Sequence, residues 1–194
     1  MNNKILMCAF NLVGITGRKF NGKDTLGQYF VSHLDYERLG FADTLKEACR
    51  CIFGFNDDQL YGDKKEIVDE FWKVTPRKIF QYVGTDLFRD QLKNIIPHVE
   101  SSIWIEVLKK QILDKRSADP NVKIVITDVR FSNEVDMIHQ LGGIVLRVKR
   151  DIVNAEIDQH PSEMEIEKLN IDYEIPNNGS IHDLYSSIIL KIFK

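Results

Sequence analysis

Gly17, Gly22 and Lys23 stand at the spacing glycine, four residues, glycine, lysine, inside the run Gly14-Ile15-Thr16-Gly17-Arg18-Lys19-Phe20-Asn21-Gly22-Lys23-Asp24-Thr25. Loops with that spacing turn backbone N–H groups onto an anion, while the lysine reaches the outer phosphates. Glycine lets the main chain come close in conformations closed to other residues, and the helix expected next adds the positive end of its dipole. A glycine- and lysine-rich surface turn would share this composition. It would not require the apolar stretch Ile5–Val13 before it or a helical pattern after it. The run therefore reads as a phosphate loop for a nucleoside triphosphate, with Gly17, Arg18, Asn21, Gly22, Lys23, Asp24 and Thr25 as contacts.

Asp24 fills the position after the lysine, where such loops usually carry a hydroxyl that ligates Mg²⁺. Its carboxylate can replace that hydroxyl as a hard oxygen ligand, or Thr25 can supply one from a shifted register. Equally, a negative charge in a first helical turn is stabilised by the dipole alone. A second acid, Asp128, closes the apolar run Lys123-Ile124-Val125-Ile126-Thr127. An aspartate so placed holds Mg²⁺ or positions an attacking oxygen, and capping the next helix is the alternative. Asp24 and Asp128 are thus the candidate metal residues, and Lys23, Asp128 and Arg130 the candidate catalytic ones.

Arginines decide between hydrolysis and transfer to a second anion. Arg130 can fork onto a phosphate. Arg77, Arg89, Arg147 and Arg150 supply the charge needed to hold two anionic substrates and neutralise a transferring phosphoryl group. Taken singly, each is equally an exposed ion pair. Arg77 and Arg89 are a little over three helical turns apart and are expected on one side of a helix. Among the aromatics, Phe41 and Trp104 are the candidates for stacking on a base, ahead of Phe80 and Tyr82, against a core role for all four. His160, Ser162 and Glu163 read as a helix cap beside a surface histidine.

These residues need a scaffold that collects them. Five strands are expected, at Ile5–Phe10, Tyr36–Phe41, Val122–Thr127, Ile144–Val148 and Tyr173–Ile175. Helices are expected at about 23–33, 43–53, from Thr75-Pro76 onward with a bend near Gly84, 103–115 capped by Ser102, 133–141, and from Ser180 through Phe193. Alternating strands and helices give an α/β fold, a parallel five-stranded sheet covered on both faces. Ligands in such folds bind beyond the C-terminal strand ends. The phosphate loop, Asp43 with Lys46, Asp128 with Arg130, and Arg147 with Arg150 all follow strands and are expected there.

The 194 residues suit one domain. A net charge of −3 argues against a general nucleic-acid binder. Three cysteines, Cys8, Cys49 and Cys51, do not make a disulfide framework. Cys8 reads as a buried strand residue, and Cys49 and Cys51 point to different sides of a helix. Ile5–Val13 is short, contains Asn11 and lacks a cleavage pattern, so neither a secretory signal nor a membrane span is expected. The expected compartment is the cytoplasm.

Taken together, the segments resemble the deoxynucleoside monophosphate kinases of phages, large DNA viruses and some bacteria. The resemblance runs through the phosphate loop with Asp24-Thr25, Phe41-Ala42-Asp43-Thr44-Leu45-Lys46, Thr75-Pro76-Arg77 and Gly84-Thr85-Asp86 with Arg89-Asp90. It continues through Asp128-Val129-Arg130-Phe131-Ser132-Asn133-Glu134, Arg147, Arg150, His160, Ser162-Glu163 and Asn177-Asn178-Gly179-Ser180. It implies a P-loop NTPase fold of the nucleoside monophosphate kinase type and transfer of the γ-phosphoryl group of ATP to a dNMP, with Mg²⁺. An acceptor-binding helical region at about 55–116 and a small lid at about 150–171 are expected within the single domain. ATP would engage the loop, Arg147 and Arg150; the dNMP would engage Phe41, Asp43, Lys46, Arg77, Arg89, Trp104 and Arg130. The partners implied are nucleotides, and the resemblance is compatible with a homodimer. A phosphomevalonate-type or other small-acceptor kinase, or a non-catalytic nucleotide-binding module, would use the same phosphate loop. Phe20-Asn21 stands where the family carries a small residue, often serine. Asn21 tolerates left-handed backbone, and on that ground the loop is expected to form.

Overall fold

Leu12–Thr16, buried along its whole length, forms the central strand β1. It is the middle of a five-stranded sheet in the order β2-β3-β1-β4-β5, with β2 at Glu37–Leu39, β3 at Ile124–Ile126, β4 at Ile144–Lys149 and β5 at Tyr173–Pro176. All four pairings are parallel. This is a computed structural model, and it describes residues 10–96, 103–151 and 166–192. Ile5–Ala9 with Cys8, Ser102, residues 152–165 of the expected lid with His160, Ser162 and Glu163, and Phe193 lie outside the described residues.

The strand that feeds the phosphate loop is therefore later than the apolar run suggested. Gly14-Ile15-Thr16 is strand rather than loop, because β1 pairs through Gly14 to Ile126 of β3 and through Thr16 to Arg147 of β4. Two-residue periodicity sorts the sheet's side chains. Val13 and Ile15 face one cluster with Val125, Leu146, Val148 and Ile175. That cluster is closed by Leu26 and Phe30 of α1 (Lys23–Leu34) and by Leu184 and Ile188 of the last helix. On the opposite face Gly14 lies against Ile138, Val129 and Val145. The sheet thus carries helices on both faces, as an α/β fold requires.

The chain divides into two compact units, one of Met1–Gly40 with Gln111–Lys194 and the other of Phe41–Lys110. The first holds the sheet. The second is helical, with α2 at Asp43–Phe53, α3 at Asp57–Leu60 and α4 at Pro76–Gln81. α2 ends where Gly54 takes a left-handed conformation and its N–H donates to Arg50 O. Thr75 caps α4 with proline next, as the sequence predicts. From Tyr82 to Gln91 the helix then widens to π geometry before α5 (Leu92–Ile95). This wide segment replaces the expected simple bend near Gly84. Leu45, Cys49, Phe55, Leu60, Ile79, Val83 and Trp104 form this unit's core. The remaining helices are α6 (Ile103–Ala118), α7 (Ser132–Gln140) and α8 (Ile181–Ile192). No described helix is long and apolar enough to cross a membrane.

Candidate phosphate site

The loop between β1 and α1 is built by backbone conformation. Gly17 has φ +145°, and a β-carbon there would sit 2.5 Å from the carbonyl oxygen of Val148. Gly22 has φ +97°, and a β-carbon there would collide with the side-chain amide of Asn177. Each glycine of the motif is thus required twice, by its left-handed region and by a neighbour that leaves no room. Gly22 is also the N-cap of α1 and, having no side chain, caps none of the first-turn N–H groups. Those donors and the dipole are what such a loop offers an anion. Lys23 Nζ donates to Arg18 O across the loop at 2.9 Å.

One expectation for this loop needs correction. The non-glycine residue in left-handed backbone is Phe20, at φ +67°, and not Asn21. Asn21 contributes its side chain instead: it is 6% exposed and its Nδ2 donates to Val148 O at 3.1 Å. Phe20 is 69% exposed, with Lys19 Nζ over its ring. Arg18 is half-buried and pairs through Nε with Glu167 Oε1 at 3.0 Å. Asp24 is exposed and Thr25 half-buried in the first turn of α1.

Asp128 and Arg130 follow β3 in the same unit. Val129 N donates to Ile15 O, which holds the segment against the end of β1. Glu134 has no role evident from the motif alone, and the structure supplies one. Glu134 is 3% exposed, and its Oε2 accepts the N–H groups of Arg130 at 2.7 Å and Phe131 at 3.1 Å. A buried carboxylate thereby fixes the turn from which the exposed Arg130 projects. Arg38, the middle residue of β2, also supports this segment: its Nε donates to Thr127 Oγ1 at 3.2 Å, one residue before Asp128. A single arginine in a three-residue edge strand carries no sequence signal.

Arg147 is held by backbone carbonyls of a neighbouring segment. Its Nη2 donates to Ile166 O at 2.7 Å and Leu169 O at 3.2 Å, with the side chain 11% exposed. It anchors the short 3₁₀ turn Ile166–Lys168. Arg150 is exposed just past β4.

In the helical unit, Asp43 starts α2 and Lys46 lies one turn on, with Nζ over the Tyr61 ring at 4.5 Å. Burial first, and then the hydrogen bond to Glu47, push the Tyr61 hydroxyl up to about 12. Arg77 is paired with Glu66 at the surface, and Arg89 is half-buried in the π segment. Twelve residues of α-helix overshoot three full turns by a third of a turn. Wider π turns take up more residues each and bring Arg77 and Arg89 closer to one face than a plain α-helix would. The two stacking candidates are core rings: Phe41 is 6% and Trp104 7% exposed. Trp104 Nε1 donates to Gly84 O at 2.9 Å, and its ring packs on Phe88. Both rings are thus packed chiefly against the protein's own side chains. Among the described residues no group of three or more His, Cys, Asp or Glu could hold a metal ion.

A family model described as deoxynucleotide monophosphate kinase matches residues 55–188. A protein of Acanthamoeba polyphaga mimivirus is 40% identical over 182 residues, covering 92% of this chain and 94% of the relative. The deoxynucleoside-5'-monophosphate kinase of Escherichia phage T5 is 34% identical over 63% of this chain and 47% of its own length. The deoxynucleotide monophosphate kinase of Enterobacteria phage T4 is 28% identical over 87% of this chain and 60% of its own. Among solved structures, dephospho-CoA kinase from Campylobacter jejuni superposes with a TM-score of 0.50 at 14% identity, covering 94% of this chain and 97% of that one. That likeness shows a shared fold.

Proposed function

This chain belongs to the deoxynucleotide monophosphate kinase family, and from that premise we propose that it catalyses ATP + dNMP giving ADP + dNDP. An oxygen of the acceptor's 5′-phosphate forms the new bond to the γ-phosphorus. The bond from that phosphorus to the bridging β–γ oxygen breaks, and ADP leaves with the electron pair. The observation that most supports this reading is the uncapped start of α1 behind the Gly17–Gly22 loop, a backbone cradle for polyphosphate. Family membership sets aside a phosphomevalonate-type acceptor and a non-catalytic module.

In this reading Lys23 and the loop, with Arg18, Asn21, Asp24, Thr25 and Arg150, hold the ATP phosphates. Arg130 contacts the transferring group, and Asp128 orients the attacking oxygen. Arg77 and Arg89 bind the acceptor phosphate, with Asp43 and Lys46 contributing to the acceptor side. Arg147 is a positioning residue for the turn it anchors. Mg²⁺ fits the donor set, because Asp24 and Asp128 offer hard carboxylate oxygens and Mg²⁺ is usually held by one or two carboxylates together with substrate phosphates. When bound it neutralises charge on the polyphosphate. Unpaired Cys49 and Cys51 support a cytoplasmic location, and the net charge of −3 supports nucleotides rather than nucleic acid as partners.

The test is ADP release from ATP and Mg²⁺ with each of dAMP, dCMP, dGMP, dTMP and their ribose forms, with Lys23→Ala as control. Release that depends on deoxynucleotides and is lost in the control supports the assignment and names the bases accepted. ATP binding without acceptor-dependent release overturns it.

A further inference from the structure

The phosphate loop is tied to the sheet by two asparagine side chains, and only one of them lies in the loop. Asn21 Nδ2 donates to Val148 O at 3.1 Å. Asn177, 156 positions away in sequence, returns the contact: its Nδ2 donates to Asn21 O at 2.8 Å. The backbone of Asn177 is itself fixed, since its N–H donates to Lys149 O at 2.7 Å. Two successive carbonyls at the end of β4 therefore take one donor from the loop and one from the turn after β5. Gly22 completes the contact, because any side chain there would displace the Asn177 amide.

We propose that Asn177 is the positioning residue of the phosphate loop: its amide holds the Asn21 carbonyl, and through it the backbone N–H groups of Gly22 and Lys23, in the conformation that receives polyphosphate. The inference rests on the reading of this loop as the ATP phosphate site. Phe20 supplies the physical need. A bulky residue in left-handed backbone strains the loop, so the loop must be held from outside. An asparagine side chain suits the task because one amide nitrogen can donate to a carbonyl without bringing charge beside the phosphates. The next residue, Asn178, is turned elsewhere. Its Oδ1 accepts Asp151 N at 2.8 Å and its Nδ2 donates to Asp151 Oδ2 at 2.5 Å.

The test uses the full-length protein and two probes, MgATP and inorganic tripolyphosphate, with binding measured by calorimetry. Asn177→Ala is expected to weaken both probes by about tenfold, the worth of one hydrogen bond to a shielded carbonyl. Affinity for the dNMP is expected to stay within twofold. Asn177→Asp, which is isosteric, faces the Asn21 carbonyl with a second acceptor and sets a negative charge near the phosphates. Its loss is expected to be larger than that of the alanine variant. Asn178→Ala is expected to leave tripolyphosphate affinity near wild type. Loss for ATP but not for tripolyphosphate would mean that Asn177 acts on the nucleoside, and would overturn the proposal. So would a comparable loss in Asn178→Ala, or unfolding of both Asn177 variants, which would make Asn177 part of the scaffold. If wild-type protein bound neither probe in a Lys23-dependent way, the donor-site reading itself would fall. If wild type bound both and the Asn177 variants bound equally well, only this inference would fall.

Discussion

The phosphate loop of the sheet unit and the α2–α5 region of the helical unit handle charge in different ways. In the loop the proposed contacts are main-chain N–H groups, in a backbone shaped by Gly17, Gly22 and the amides of Asn21 and Asn177. In the helical unit the proposed acceptor contacts are long side chains, Lys46 over Tyr61, Arg77 against Glu66 and Arg89 in the widened helix. A backbone site is prepared before the ligand arrives, and its geometry varies little from one polyphosphate to another. Side chains paired on a surface must be released and reoriented, at an entropic cost. On the proposed reading the first arrangement serves the triphosphate, and the second serves the acceptor phosphate, gripped by side chains rather than by the main chain.

Substitutions in the two regions should therefore fail differently. The largest effect is expected at Arg130, whose backbone Glu134 fixes. Arg130→Ala should lower turnover roughly 10³-fold, the lower range for a catalytic arginine, while ATP affinity measured by calorimetry stays within a few-fold. A variant that lost ATP binding in parallel with turnover would remove the distinction between holding and transferring. Next, Arg77→Ala should raise KM for the dNMP by about 10–100-fold, the worth of a charge-assisted hydrogen bond, with KM for ATP unchanged. Glu66→Gln removes the surface partner and should change unfolding free energy by less than about 1 kcal/mol. Equal shifts of both KM values in Arg77→Ala would erase the boundary between donor and acceptor residues.

Two glycines sharpen the contrast in stability. Gly54 ends α2 at φ +72° with nothing near its missing side chain, and Gly22 combines φ +97° with the Asn177 contact. Gly54→Ala should cost about 1–2 kcal/mol for the left-handed backbone alone. Gly22→Ala should cost more, by denaturant unfolding; equality would mean that the Asn177 contact yields freely. The smallest effects concern one carboxylate in each unit. Asp69 is held below the usual carboxylate range chiefly by the Trp72 N–H, and Asp183 chiefly by the Ser180 hydroxyl. A depressed folded-state value means stability that is present above the ordinary carboxylate pKa, near 4, and lost as pH falls through the lower folded value. Asp69→Asn and Asp183→Asn should each make the acid limb of a stability–pH profile shallower. A steeper limb in either would reverse the sign of that linkage.

The chemistry-bearing residues were legible because their types are restrictive. Two glycines and a lysine at fixed spacing, an aspartate closing an apolar run, and Thr75-Pro76 before a helix each allow few backbone solutions. The α/β alternation was legible for the same reason. What escaped was relational. The apolar run before the loop is longer than one strand, so local pattern put β1 too early, and pairing with β3 and β4 placed it at Leu12–Thr16. Trp104 and Phe41 have the composition of stacking residues and the burial of core residues. No spacing rule separates those two roles.

By itself the sequence determined that this protein has a phosphate loop ahead of a helix, an acid and an arginine after a buried strand, and the resemblance to its family. These follow from local sterics and periodicity, which act over a few residues. Only the tertiary structure decided which residue bears the left-handed strain, that Arg147 anchors a turn, that Glu134 fixes Arg130, and that Asn177 reaches the loop from the far end of the chain. Hydrogen bonds between segments that distant depend on sheet order and register, and those are set by the packing of the whole unit.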